Sequence, residues 1–255
     1  MRRIKIGLFI SLLVLQFYTH VLAADPLLKV VTEEFPPYNY TVDGKIAGIA
    51  TTVVKETLKR SGINYSLRVY PWKRAYEANA LKKKNVLIYS IYKSAEREPL
   101  FAAWIGPILP PAAVHFYKLK TRADIQVESL EDAKRYSIGV TRSDYSHELL
   151  RKMKFPRLEV TSNALSNAQK FLAGRIDLMP TYELTLAARL QQLNTPFRVV
   201  EKTVPLIPLA DSKTFMAVSR GTDPALIAKL KAAFGQIKAE GIAENALQTY
   251  LQSVK

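Results

Sequence analysis

The sequence predicts an α/β protein folded as two lobes, and four observations predict it. Apolar strand-like runs alternate with segments whose apolar residues recur at helical spacing. The 255 residues are 48% hydrophobic and 23% charged, a balance that buries a sizeable core. About 232 of them remain once a leader is removed, a length that suits two lobes better than one. Finally, the crossings between the halves are short and proline-bearing (Pro107, Pro110 and Pro111 one way, Pro205 and Pro208 the other).

The leader comes first in the chain. Arg2, Arg3 and Lys5 precede the apolar run Ile6 to Leu15. That run is shorter than the roughly 20 residues of a bilayer span and matches an export signal. Val21-Leu22-Ala23 supplies small or aliphatic residues at the cleavage positions, so cutting is expected after Ala23, with Ala24 next in line. A membrane-anchoring helix is the alternative.

From there the elements follow in order. Leu28 to Thr32 reads as a strand, Phe35 to Tyr40 as a turn-rich segment, and Val42-Asp43-Gly44-Lys45 as a hairpin. Val53, Val54, Thr57 and Leu58 share a helical face that Gly62 terminates. Ile63 to Tyr70 is a strand, Pro71 opens a helix running to Leu81, and Val86 to Ile91 is a buried strand. In the second half, Val114 to Tyr117, Tyr136 to Val140, Leu158 to Thr161, Ile176 to Met179 and Phe197 to Val200 read as strands. Helices start at Ser129, near Ser143 or Asp144, at Asn163 and at Tyr182, with Ser129 the N-cap of the first. Phe215 to Val218 is a strand returning to the first half. Asp223-Pro224 caps a helix whose stripe Leu226, Ile227, Leu230, Phe234 and Ile237 packs on the core. Mostly parallel sheets are expected.

Composition excludes several chemistries. With no cysteine there is no thiolate catalysis, Cys-ligated zinc, iron–sulfur cluster or lipid-anchored cysteine. Three histidines (His20, His115 and His147) show no metal-ligand spacing, so neither metal nor cofactor is expected. No GxSxG, Walker or GxGxxG motif occurs. The net charge is +15, and a chain cut after Ala23 keeps 34 basic and 22 acidic residues, a charge of +12. In an exported protein this reads as a solvated basic surface or a preference for anionic ligands or an anionic membrane face, with no nucleic-acid partner.

Four segments carry a resemblance. Thr32 to Tyr40 with Gly48 beyond, SIYKSAEREPLF over Ser90 to Phe101, SLEDAKRYSIGV over Ser129 to Val140, and Gly174-Arg175-Ile176-Asp177 stand in the order and spacing of the bacterial extracellular solute-binding proteins of family 3. The chain resembles that family over nearly all of its processed length. The Pro71-Trp72-Lys73-Arg74 start looks like a branch without an assigned ligand. The resemblance implies a two-lobed periplasmic clamshell with a two-strand hinge. One lobe would comprise residues 24–111 with 211–255 and the other 112–210. Such a monomer would capture a small-molecule ligand and present it to the membrane permease of an ABC importer, or to a membrane sensor.

It also implies a site. Arg97 matches the arginine that grips a ligand carboxylate; its alternative is a surface pair with Glu96 or Glu98. Phe35 and Trp72 fall where aromatics flank the ligand, with core burial as their alternative, and Tyr38 joins this aromatic first lobe. Ser90 and Tyr92 end the strand before Arg97. On the second lobe Arg142, Ser143, Asp144 and Tyr145 form a strand-to-helix turn, where Asp144 is either an N-cap or a carboxylate for a cation. The aspartate expected for a ligand ammonium is replaced by Tyr182, with Glu183 beside it. Ala50, Thr52 and Asn85 stand where acidic residues are expected. The carboxylate grip is therefore matched and the ammonium grip is not. This leaves a small polar, carboxylate-bearing solute: an amino acid, an acid without an amine, a peptide fragment or an aromatic-stacked solute. Two other classes stay open. One is a cyclohexadienyl-dehydratase-like enzyme using Glu183 or Asp144 as acid; the other is a sensor-associated or envelope-binding protein.

Overall fold

The computed structural model describes residues 27–254, so the leader read over 1–23 and its cleavage site lie outside it. In chain order, β1 (Leu28–Thr32), β2 (Tyr40–Val42), β3 (Lys45–Ala47), α1 (Ile49–Ser61), β4 (Tyr65–Val69), β5 (Val86–Tyr92) and β6 (Phe101–Ile105) come first. Then follow β7 (Val114–Leu119), α2 (Leu130–Ala133), β8 (Ile138–Thr141), α3 (Tyr145–Lys152), β9 (Leu158–Thr161), α4 (Ala164–Leu172), β10 (Met179–Tyr182), α5 (Glu183–Gln192) and β11 (Val200–Ile207). Next is β12 (Thr214–Ser219), then α6 (Pro224–Ala239) and α7 (Ile242–Ser253). No helix among the described residues is long and apolar enough to cross a membrane.

The first lobe is built on a five-stranded sheet ordered β4-β1-β5-β12-β6. The second carries a three-stranded sheet, β10-β7-β11, and the parallel pair β8-β9, linked to β10's approach by a bridge between Ile138 and Leu178. The expectation of mostly parallel sheets is corrected to mixed ones. β1 runs parallel to β4 and β5, but β12 is antiparallel to β5 and β6, and β7 is antiparallel to both its neighbours. The reversal comes from strands that enter their sheet from the other lobe's side rather than through a helical crossover.

Local chemistry fixes most boundaries. Val53, Val54, Thr57 and Leu58 are buried on α1, and Gly62 ends it in the left-handed conformation at φ +66°. The side chains of Ser129, Asn163 and Asp223 each accept a bond from a free first-turn N–H of α2, α4 and α6. On α6 the residues Leu226, Leu230, Phe234 and Ile237 are buried, and Ile227 packs against them.

Three readings are corrected. The helix opened by Pro71 has its α-turn only at its start and continues as a π-helix over Arg74–Ala80. There Leu81 N–H reaches Tyr76 O at 3.0 Å and Asn79 Nδ2 donates to Arg74 O at 2.8 Å. The widened turn stacks Trp72 on Tyr76, with centroids 5.4 Å apart. The strand read from Ile176 starts only at Met179, because Asp177 and Leu178 N–H are held by Ser137 O. Phe197–Val199 is a single 3-10 turn, and the strand begins at Val200. β6 and α7 were not anticipated.

Candidate functional site

A cleft between the lobes encloses about 880 Å³ of space not filled by protein, part of it open to solvent. It lies beyond the C-terminal ends of β1 and β5, the place where parallel strands deliver side chains to a ligand. Of the expected site residues, Phe35, Trp72, Ser90, Tyr92, Arg97, Asp144, Tyr145 and Tyr182 line it. Tyr38, Arg142, Ser143 and Glu183 do not.

The first wall is set by a short network. Asn39 Nδ2 donates to Thr32 Oγ1 and to Glu33 O, and Phe35 and Asn39 form a bridge that turns the Phe35 ring inward. Ser90 is the extra residue of a bulge in β5, at φ +61°, and its hydroxyl donates to Asn39 Oδ1 at 2.6 Å. Its Oγ is thus committed to the wall itself. Tyr38 is corrected to a support: 5% exposed, its ring packs on Phe35 and Tyr182 at 5.2 and 5.7 Å.

Arg97 is 1% exposed and is no surface residue. Its Nε and Nη2 bond Glu148 Oε2 on α3 at 3.0 and 2.9 Å, and Nη2 also reaches Ser143 O. Its guanidinium lies over the rings of Tyr76, Trp72 and Tyr145 at 4.8, 5.5 and 5.5 Å. The neighbours once weighed as its partners are engaged elsewhere, Glu96 with Lys152 and Glu98 with Lys93. Glu148 had no signal in the sequence, because it comes from the opposite lobe and reads as one more exposed helix residue.

Ser143 is corrected from a ligand contact to an inter-lobe link. At φ +62°, its carbonyl accepts Trp72 Nε1–H and its hydroxyl donates to Glu77 at 2.6 Å. Arg142 points into solvent. Glu183 starts α5 on its exposed side and pairs with Lys202, whereas Tyr182 faces inward and bonds its hydroxyl to that of Tyr92. The stacked rings of Tyr92 and Tyr145, with centroids 4.6 Å apart and planes 24° from parallel, close the same wall.

Of the two readings of Asp144, the N-cap is the one the structure shows. It caps α3 by accepting His147 N–H at 2.6 Å, and it lines the cleft. Burial pushes its carboxyl up to about 7 against the pull of that N–H and of Arg97. Glu33, which sequence reasoning missed, shares the cleft. Burial, and then the charge of Asp144, raise it to about 8 against Arg189 and Arg97. Its signal was position, one residue past the end of β1. A carboxyl raised in the fold binds more protons there than in the unfolded chain. The stability it contributes is full below the unfolded value near 4 and is lost as pH rises through about 7 for Asp144 and about 8 for Glu33. The melting temperature is therefore expected to fall between pH 5 and pH 8. Glu33→Gln should flatten that slope; an equal slope in the variant would refute the assignment.

Arg189 and Thr185 of α5 also line the cleft. They were unreadable because Thr185, Leu186, Arg189 and Leu190 make an ordinary amphipathic stripe. Among the described residues no group of three metal-ligating side chains occurs.

Residues 28–253 match the family described as bacterial extracellular solute-binding proteins, family 3. Similar solved structures include an ancestral arginine-binding protein bound to arginine, 20% identical over 88% of this chain and 97% of that one, with a TM-score of 0.74. A histidine kinase sensor domain with similarity to periplasmic binding proteins is 17% identical over 89% of this chain and 97% of that one, again at 0.74. An amino acid ABC transporter substrate-binding protein from Streptococcus pneumoniae Canada MDR_19A, bound to L-arginine, is 16% identical over 88% and 92%, at 0.71. At these identities they show the two-lobed fold. No curated protein sequence matches the chain.

Proposed function

Because the chain belongs to the bacterial extracellular solute-binding proteins of family 3, we propose that it is a periplasmic receptor for a small polar, carboxylate-bearing solute, an amino acid or a close relative. The lobes would be residues 24–111 with 211–255, and 112–210. The observation that carries this reading is Arg97. It is buried at the seam and bonded to Glu148 and Ser143 of the other lobe. A carboxylate taken up beside it contacts both lobes at once, which is what lets a ligand favour the closed arrangement. The aromatic walls supply rigid contact area around the remainder of the solute. Delivery would be to an ABC permease or to a membrane sensor; the likeness to a histidine kinase sensor domain keeps the second partner in view.

Titration calorimetry of the purified protein against amino acids and aliphatic acids is expected to give saturable binding. Small-angle scattering should report compaction, and the solute should be recovered unchanged. Absence of binding across both classes would overturn the reading.

One observation favours a second reading. Glu33 and Asp144, pushed up to about 8 and about 7, are the kind of protonated carboxyls that acid-assisted elimination uses. A cyclohexadienyl-dehydratase-like enzyme would use those two and not Glu183, which faces away. Incubation with prephenate and an ultraviolet assay for phenylpyruvate decides it; product formation lost in Glu33→Gln or Asp144→Asn would replace the receptor by an enzyme.

A further inference from the structure

Buried polar atoms almost always find partners, so those without one need a reason. Among the described residues, five side-chain atoms are buried and unpartnered, and Thr185 Oγ1, Arg189 Nε and Asn167 Oδ1 belong to residues lining the inter-lobe cleft. Thr185 and Arg189 stand one turn apart on α5, hence on the same face. They are 4% and 5% exposed.

Arg189 is only partly satisfied. Its Nη2 donates to Glu34 O and its Nη1 to Gln192 Oε1 at 3.2 Å, both uncharged acceptors. It makes no ion pair among the described residues. A guanidinium remains cationic in a protein, and a buried cation without a counter-ion is costly. The acid that acts on it most is Glu33, itself driven towards the neutral form by burial. At Arg97 the situation is the opposite, since Glu148 already balances that charge. Arg189 also lines the wider groove outside the cleft, so it stands where the two spaces meet and a longer solute would place its far end.

We propose that Arg189 Nε–H and Thr185 Oγ1–H form a second oxyanion subsite, so that the solute carries two acid groups, one beside Arg97 and one at its far end on α5. The inference rests on the receptor reading above and narrows its substrate class to short dicarboxylic acids and amino acids with a side-chain carboxylate. Asn167 Oδ1 accepts only, and takes no part in holding an anion.

The test compares acids with their own amides: glutamate with glutamine, aspartate with asparagine, and glutarate with glutaramic acid. In the wild-type protein the acid of at least one pair is expected to bind about tenfold or more tightly than its amide, because the amide oxygen can accept the same bonds but brings no charge to balance the guanidinium. In Arg189→Gln that ratio should shrink to about threefold or less, and Thr185→Val should lower it by a smaller factor. A melting curve for each variant checks folding, and the ratio within one variant is insensitive to a general loss of stability. Equal binding of acid and amide, or a ratio unchanged in both variants, overturns the second subsite and leaves the receptor standing. No binding of any member at roughly 10 mM overturns both.

Discussion

Arg97→Ala is expected to weaken binding of a carboxylate solute by about 100-fold or more. The variant removes a cation that two lobes and three aromatic rings hold in place. It also leaves the solute carboxylate in a partly dry cleft without the cation that balances it, so the loss exceeds that of the bonds alone. Stability should suffer far less. The Arg97 side chain is 2% exposed but that of Glu148 is 38% exposed, and a carboxylate released there turns to water. A fall in melting temperature of about 2–6 °C is the expectation. Glu148→Gln is the informative partner: it keeps the hydrogen-bonding shape, frees the guanidinium and should tighten binding. Calorimetry reads both. Affinity within threefold of wild type in Arg97→Ala would remove this arginine from the site.

Gly48→Ala is expected to destabilise the fold by about 3 kcal/mol or more, which lowers the melting temperature by about 10 °C. Gly48 sits at φ +116° and ψ 168°, a region that residues with a side chain essentially never occupy. A Cβ built there would lie 2.4 Å from Tyr38 O and 2.7 Å from Pro37 O. Those atoms are backbone, and both carbonyls are already engaged by the first N–H groups of α1. Relief therefore has to move the segment that carries Phe35, so affinity should fall together with stability. Differential scanning calorimetry checks the first part; a melting point within 2 °C of wild type would contradict it.

These two residues mark what a sequence can carry. Gly48 and Arg97 lie inside segments whose order and spacing are distinctive, so each is readable as a member of its motif, although the groups they touch, Glu148 and Ser143 for Arg97 and Pro37 and Tyr38 for Gly48, stand elsewhere in the chain. The caps Ser129 and Asp223 were readable because each acts on the two or three residues that follow it. What failed depended on the other lobe. Ser143 was placed against the ligand, yet its groups meet Glu77 and Trp72, residues that no local pattern associates with it. Glu183 and Tyr182 differ only by which side of the α5 start they face, and an error of one position inverts their roles. Tyr38 and Tyr92 are indistinguishable by composition; packing alone put the first behind the wall and the second on it. The π-helix after Pro71 has a helix-compatible sequence, and its widening shows only in which carbonyl Leu81 N–H reaches.

The seam between the lobes also sets a clock. Trp72 to Ser143, Ser143 to Glu77, Arg97 to Glu148, Tyr92 to Tyr182, Arg189 to Glu34 and Lys152 to Glu96 are all bonds among the chain's own groups. Whatever sits in the cleft leaves only after enough of them have broken together. The protein's own opening then sets a lower bound on residence time, and the contacts a solute makes to both lobes lengthen it further. Raising the ionic strength would hasten opening only through the exposed Lys152–Glu96 pair, since the other links are partly buried and weakly screened.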